Sequence, residues 1–217
     1  MMDDQVVPSL SQFAAFLVAS ILFIQVPGPS LLFTLGRALT VGRRDALLSV
    51  VGNAAGLLVQ VVGVAVGLGA VVAASAQAFT ALKLAGAAYV VYLGVQAIRH
   101  RGDARLALEA TADARRTTAW VSVRTGLVVG ATNPKTIVFF AAFLPQFVGH
   151  DGATAPQLLL LGLIFGALAC ASDSCWALAA GRARDWFARE PKRLDHLGAT
   201  GGVMMIGLGA TLATTQA

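Results

Sequence analysis

The sequence predicts an all-α integral membrane protein of about six transmembrane helices, and three observations lead there. The chain has 217 residues, of which 57% are hydrophobic and only 12% charged, with a mean hydropathy of +0.74; soluble domains carry about 25% charged residues. The charges are segregated into short clusters, and the apolar runs between them reach the roughly 17–25 residues that cross a bilayer. Lys and Arg crowd every second cluster and are missing from the segments between.

Six spans are expected, taken in order. The first runs from about Leu10 to Leu39, the second from Ala46 to Ala74, and the third from Phe79 to Ile98. The fourth covers about Trp120 to Val148, the fifth Pro156 to Ala180, and the sixth Leu197 to Thr214. The first inter-span segment holds Arg37, Arg43 and Arg44, the third Arg99, Arg101, Arg105, Arg115 and Arg116, and the fifth Arg182, Arg184, Arg189, Lys192 and Arg193. The N-terminus, the segments 75–78 and 150–156, and the C-terminus have none. The positive-inside bias then puts the basic segments in the cytoplasm and both termini outside. Met1-Met2-Asp3-Asp4 is acidic where a signal peptide is basic, so the first span is expected to stay in the membrane.

Two spans are broken. Gln25-Val26-Pro27-Gly28-Pro29-Ser30 interrupts the first and Thr132-Asn133-Pro134-Lys135-Thr136 the fourth. Each proline removes an N–H and obstructs the preceding turn, while glycine accepts unusual dihedrals. In lipid, freed backbone groups are tolerated only against protein or a water-filled cavity. Breaks at corresponding places in two halves point to a transport site. Three spans per half, an odd number, make a duplicated unit insert upside down. The single transmembrane domain 1–217 is therefore expected as inverted repeats, about 10–98 and 120–214, joined by a cytoplasmic linker 99–119.

Lys135 lies about 15 residues from both Trp120 and His150, roughly 22 Å from each along a helix. An ammonium at that depth costs about 3 kcal/mol or more, so it needs a partner or a cavity, and both interfaces are too distant for snorkelling. Asp173 is its natural partner, roughly 13 Å from the basic end set by Arg182. Burial favours the neutral acid and a nearby ammonium favours the carboxylate. That opposition suits a proton-coupling group, and equally a static pair that fixes packing. Asn53 has a similar depth from Arg44 and reads either as a ligand to amino or carboxylate groups or as an interhelical bond. Ser30 begins the second piece of the first span, whose free N–H groups suit a carboxylate. Pro27, Gly28, Pro29, Ser30, Asn53, Asn133, Pro134 and Lys135 are thus the candidate substrate site.

Asp45, after Arg43-Arg44, reads as a helix N-terminal charge or as a gate ion pair with Arg44. Gln60 is a weaker polar candidate, because it sits among Gly52, Gly56, Gly63 and Gly67. Those glycines mark a close helix contact, one that also suits a homodimer. Lys83 reads as snorkelling, Tyr89 and Tyr92 as packing or interfacial, and His100, His150 and His196 as loop residues. Cys170 and Cys175 are five apart and read as small packing residues, with no CxxC pair.

Several motifs resemble the LysE/RhtB family of amino-acid exporters. Pro27-Gly28-Pro29-Ser30, Gly42-Arg43-Arg44-Asp45-Ala46 and Gly52-Asn53-Ala54-Ala55-Gly56 resemble that family's opening. The run Leu82 to Gly94 is similar to its third span. Asn133-Pro134-Lys135 before Phe143-Leu144-Pro145-Gln146-Phe147 is similar to its fourth. The likeness covers roughly residues 12 to 210. Ser30 departs from it, standing where the family usually shows Asn after Gly-Pro. The resemblance implies an efflux carrier of the bacterial cytoplasmic (inner) membrane, driven by the proton motive force.

Other classes fit less well. A nucleic-acid binder would show a basic stripe with stacking aromatics, whereas these Arg residues follow topology. A divalent-metal or other ion exporter would cluster His, acids or thiolates in its spans, and here the spans hold no His and one clear acid. An intramembrane hydrolase would need an activated nucleophile with a base at its depth. A non-transport membrane protein would need neither paired breaks nor a buried Lys and Asp. The expected protein is no enzyme and carries no cofactor; its partners are an amino acid, protons and the bilayer. One acid and one base in the spans favour a neutral zwitterion over lysine or arginine.

Overall fold

In the computed structural model, the chain is described over residues 9–74, 76–102, 105, 118–149, 153–183, 186, 189–190 and 192–214. Met1 to Asp4, most of the linker 99–119, His150 and the side chain of Lys83 lie outside the described residues. The described residues contain helices and no strands.

Helix α1 (Leu10–Gln25) opens with a capping box: the Gln12 N–H donates to Ser9 Oγ and the Ser9 N–H to Gln12 Oε1. It ends where Pro27 and Pro29 withhold their N–H groups. Val26 and Gly28 are extended, and Pro29 restarts the chain as the first residue of α2 (Pro29–Thr40), bent 50° from α1. Gly42, at φ +98°, turns the chain into α3 (Arg43–Ala74); only glycine takes that dihedral without strain. Helix α4 (Ala76–Arg99) follows. Thr118 caps α5 (Ala119–Thr132), and after extended Asn133 the chain resumes with Pro134 in α6 (Pro134–Val138). It continues as a π turn (Phe139–Phe143) and a 3-10 turn (Leu144–Phe147), and this second bent pair turns by 42°. Helices α7 (Thr154–Arg182) and α8 (Lys192–Thr214) complete the described residues.

Arg43–Gly67 and Thr154–Arg182 are long and apolar enough to cross a membrane, and each bent pair qualifies as one broken span. The basic residues assigned to loops are largely helix-end residues. Arg37 lies in the last turns of α2, Arg43 and Arg44 in the first turn of α3, and Lys192, Arg193 and His196 within α8.

Two glycine seams hold the bundle. A Cβ on Gly52 would lie 2.0 Å from the Val123 carbonyl oxygen, and one on Gly126 would lie 2.0 Å from that of Ser49. Gly56 and Gly130 meet the opposing backbone in the same way, so α3 and α5 pack main chain on main chain. The second seam joins α4 to α8 through Gly94 and Gly202. The predicted stripe is therefore half right. Gly63 and Gly67 on α3 are exposed and have nothing within 4 Å of a notional Cβ.

The apolar core is divided at the breaks. Toward the Arg-poor end, Phe16, Phe23, Phe139, Phe140 and Phe165 pack with Leu57, Leu144 and Leu161. Toward the Arg-rich end, the cluster consists of Leu31, Leu35, Leu39 and Leu194 with small Ala38, Ala46, Ala177 and Ala180.

Candidate functional site at two broken helices

A helix break leaves the last carbonyls of one piece and the first N–H groups of the next without partners. The carbonyls of α1 go to the other break. Lys135 Nζ donates to Phe23 O at 2.7 Å and Val26 O at 2.6 Å, and lies 4.4 Å from the centre of the Phe23 ring. A cation at the C-terminus of a half-helix also meets the negative end of its dipole. The carbonyls of α5 go to Gln60, whose Nε2 reaches Gly130 O (2.7 Å), Ala131 O (3.1 Å) and Asn133 O (3.2 Å). Each break is thus closed by a long side chain from another element.

The N–H groups differ. Asn133 Oδ1 accepts from the Lys135 N–H at 3.1 Å, capping α6. The N-terminus of α2 has no side-chain cap. Around it runs a polar chain: Asn133 Nδ2 donates to Ser30 Oγ (2.7 Å), Ser30 Oγ donates to Asn53 Oδ1 (3.0 Å), and Asn53 Nδ2 donates to Asp173 Oδ2 (3.4 Å). Gln25 pins the end of α1 to α7, accepting from Trp176 Nε1 (3.1 Å) and donating to Ser172 Oγ (3.4 Å).

Gly28, Ser30, Asn53, Asn133, Lys135 and Asp173 line one cavity of about 30 Å³, room for about one water. Lys135 and Asp173 are both 5% exposed. The two act on each other electrostatically without the expected direct ion pair: the ammonium sits on the α1 carbonyls, leaving one of its three protons, and Asp173 accepts a hydrogen bond only from the Asn53 amide among the described residues. The packing reason is Gly28, whose missing side chain lets the Lys135 stem pass; a Cβ there would lie 2.7 Å from Lys135 Cδ. Pro27, Pro29 and Pro134 shape the breaks without lining this cavity.

The expected Arg44–Asp45 pair is also corrected. Arg44 is exposed, whereas Asp45 is buried and acts electrostatically on Arg37. Arg37 reaches across three helices, with Nη2 donating to Ser122 Oγ at 2.7 Å and Nε to Ser49 Oγ at 3.3 Å. Sequence reasoning missed Arg37 and Gln25 as site-forming residues and ranked Gln60 below its place at the second break. The available signal for Arg37 was its position five residues before Gly42, inside a helical run. Cys170 and Cys175 are free thiols, half-buried and exposed, and no group of three or more metal-ligating side chains occurs among the described residues.

A membrane bundle whose two broken helices meet at a lysine and an acid has the layout of a carrier. The sequence model of the LysE type translocators matches residues 21–216. The chain belongs to that family. A membrane protein of Vibrio cholerae with no assigned function is 35% identical over 204 residues, covering 94% of this chain and 97% of the relative. The homoserine/homoserine lactone efflux protein of Salmonella typhimurium is 33% identical over 202 residues, covering 93% and 96%. The leucine efflux protein of Klebsiella pneumoniae is 25% identical over 209 residues, covering 94% and 95%. No solved structure matches the chain significantly. As a LysE type translocator with amino-acid efflux relatives, the chain is a membrane transporter of small molecules.

Proposed function

We propose that this protein exports neutral amino acids or close derivatives across the bacterial cytoplasmic membrane in exchange for protons. The single observation that carries the reading is the pairing of opposite charges on one cavity. The uncapped N-terminus of α2 with the third proton of Lys135 suits a carboxylate, and Asp173 across the cavity suits an α-ammonium. The spacing of one cationic and one anionic pole fits a zwitterion, and a cationic side chain would need a second acid. Relatives named for homoserine and leucine efflux support the same class.

In this mechanism Asp173 is the coupling residue. A substrate ammonium and a proton compete to neutralise it, so the loaded carrier moves outward with substrate and returns with a proton. The Arg-rich end faces the cytoplasm and both termini face outward, as the positive-inside bias argues. Asp45 and Arg37 form the gate on that side, tying α2 to α3 and α5 until substrate arrives. Pro27, Pro29 and Pro134 act by breaking the rods, while Gly28, Ser30, Asn53 and Asn133 form the rest of the binding site. The two halves, about 10–98 and 120–214, work as inverted repeats. For a homodimer, the glycine-stripe expectation, Gly63 and Gly67 are the two of the four stripe glycines left exposed for such a contact.

The test is efflux of labelled homoserine, threonine, leucine and lysine from loaded vesicles under an imposed pH gradient, with and without an uncoupler. Gradient-dependent, uncoupler-sensitive efflux of the neutral amino acids is expected. Efflux of none of them, or of lysine alone, would overturn the reading.

A further inference from the structure

Central binding leaves a second cavity unassigned. It measures about 410 Å³ and lies between α2, α4 and α8, inside the range of roughly 300–1,000 Å³ typical of small-molecule sites. The central cavity, at about 30 Å³, holds no amino acid as it stands. Gly28 lines both, so the two cavities meet at a residue without a side chain, with the Lys135 stem packed against it.

The chemistry of the second cavity is graded. Leu32, Phe33, Leu93 and Met205 supply apolar surface near the break. Gln96 in the last turn of α4 and His100 and Arg101 just past its end also line it. Arg101 makes no side-chain hydrogen bond or ion pair among the described residues. His100 uses Nδ1 on the Gln96 carbonyl of its own helix (3.2 Å), and Gln96 donates Nε2 to Tyr92 Oη (2.8 Å). The Arg101 guanidinium, the remaining ring nitrogen of His100 and the Gln96 amide oxygen form a receptor for a carboxylate carrying an amine. A guanidinium binds a carboxylate through two parallel bonds.

We infer that this cavity is a loading vestibule, a second binding site that takes amino-acid carboxylates at Arg101 and passes them by way of Gly28 to the central site. The inference rests on the proposed export of amino acids. It adds where the substrate waits and which residue selects it. Arg101 raises substrate occupancy on the Arg-rich side and touches nothing at the central cavity, so it governs affinity and leaves turnover alone.

Two measurements test it. In reconstituted vesicles, Arg101→Gln should raise the KM for homoserine presented to the Arg-rich side by about tenfold, the worth of a lost charge-assisted bond, with kcat unchanged. In a background carrying Cys170→Ala and Cys175→Ala that retains efflux, Ala97→Cys should react with a membrane-impermeant maleimide from the Arg-rich side, and homoserine should slow that reaction. If the parent protein exports homoserine while Ala97→Cys reacts only with a lipid-soluble maleimide, unprotected by homoserine, the cavity belongs to lipid and the inference fails while export stands. An unchanged KM in Arg101→Gln overturns it equally. If homoserine protects Ala97→Cys but the parent moves no amino acid, the second binding site stands, while its loading role falls with the export reading.

Discussion

At Lys135 one side chain serves two demands that usually conflict. Its ammonium closes the end of α1 through Phe23 O and Val26 O, and it still lines the central cavity. Lys135→Met should therefore abolish efflux and also lower stability, because each orphaned buried carbonyl costs about 1–3 kcal/mol. Thermal unfolding in detergent measures the second effect, and membrane insertion should persist. Gly28→Ala is a subtler probe. The new methyl group displaces the Lys135 stem, and we expect efflux to fall by about tenfold, as loss of one charged hydrogen bond implies. Normal efflux in Gly28→Ala would show that the ammonium is free to leave the carbonyls. Lys135 was legible from depth alone, since no charge survives there without a purpose. Its partner was not, because an acid looked a better match than carbonyls whose release only the three-dimensional break reveals.

The broken rods are the elements that matter, and their causes are written in the chain. Pro27, Pro29 and Pro134 fix where helix stops, and the predicted bounds follow the helices to within a few residues, with two helices and two bent pairs among the described residues long and apolar enough to be spans. Pro145 and Gln146 show the same logic on a smaller scale. The proline withholds its N–H, the helix passes into π and 3-10 turns, and Gln146 Nε2 recaptures the Ala142 carbonyl at 2.7 Å. Gln60 was read as a minor polar residue on a glycine stripe, because nothing in a linear pattern says that it faces the end of α5. Gln60→Leu should loosen that end and reduce Tm with little effect on α1, whereas Gln60→Asn, one methylene shorter, should recover part of the loss. On the α3–α5 seam, Gly126→Leu would force backbone apart at a 2.0 Å approach. It should impair folding far more than Gly63→Leu, where nothing lies within 4 Å. Expression and Tm of the two variants, measured side by side, give the comparison.

Across the whole molecule the central cavity lies between two unlike seals. Phenylalanines stack on the Arg-poor side, while leucines and alanines fill the Arg-rich side. The larger cavity extends from Gly28 to Arg101, toward the Arg-rich end. In the proposed cycle this is a carrier waiting for substrate from the cytoplasm, held shut by Arg37 against Ser49, Ser122 and Asp45. Arg37→Gln should make Ser30→Cys react faster with an impermeant thiol reagent from that side. An unchanged rate would remove Arg37 from the gate. Composition and charge alternation made the membrane bundle legible at this scale. The assignment of Arg37 to a loop failed because α2 runs past it to Thr40, and within that helix Arg37 bonds Ser49 of α3 and Ser122 of α5.

The claim beneath the account is that one carboxylic acid trades a substrate ammonium for a proton. Proteoliposomes containing Asp173→Asn, loaded with labelled homoserine and placed under a pH gradient, address it directly alongside the parent protein. The gradient should drive efflux by the parent and fail to drive it in Asp173→Asn, though the variant remains folded and inserted. Full gradient-driven efflux by Asp173→Asn would contradict the account.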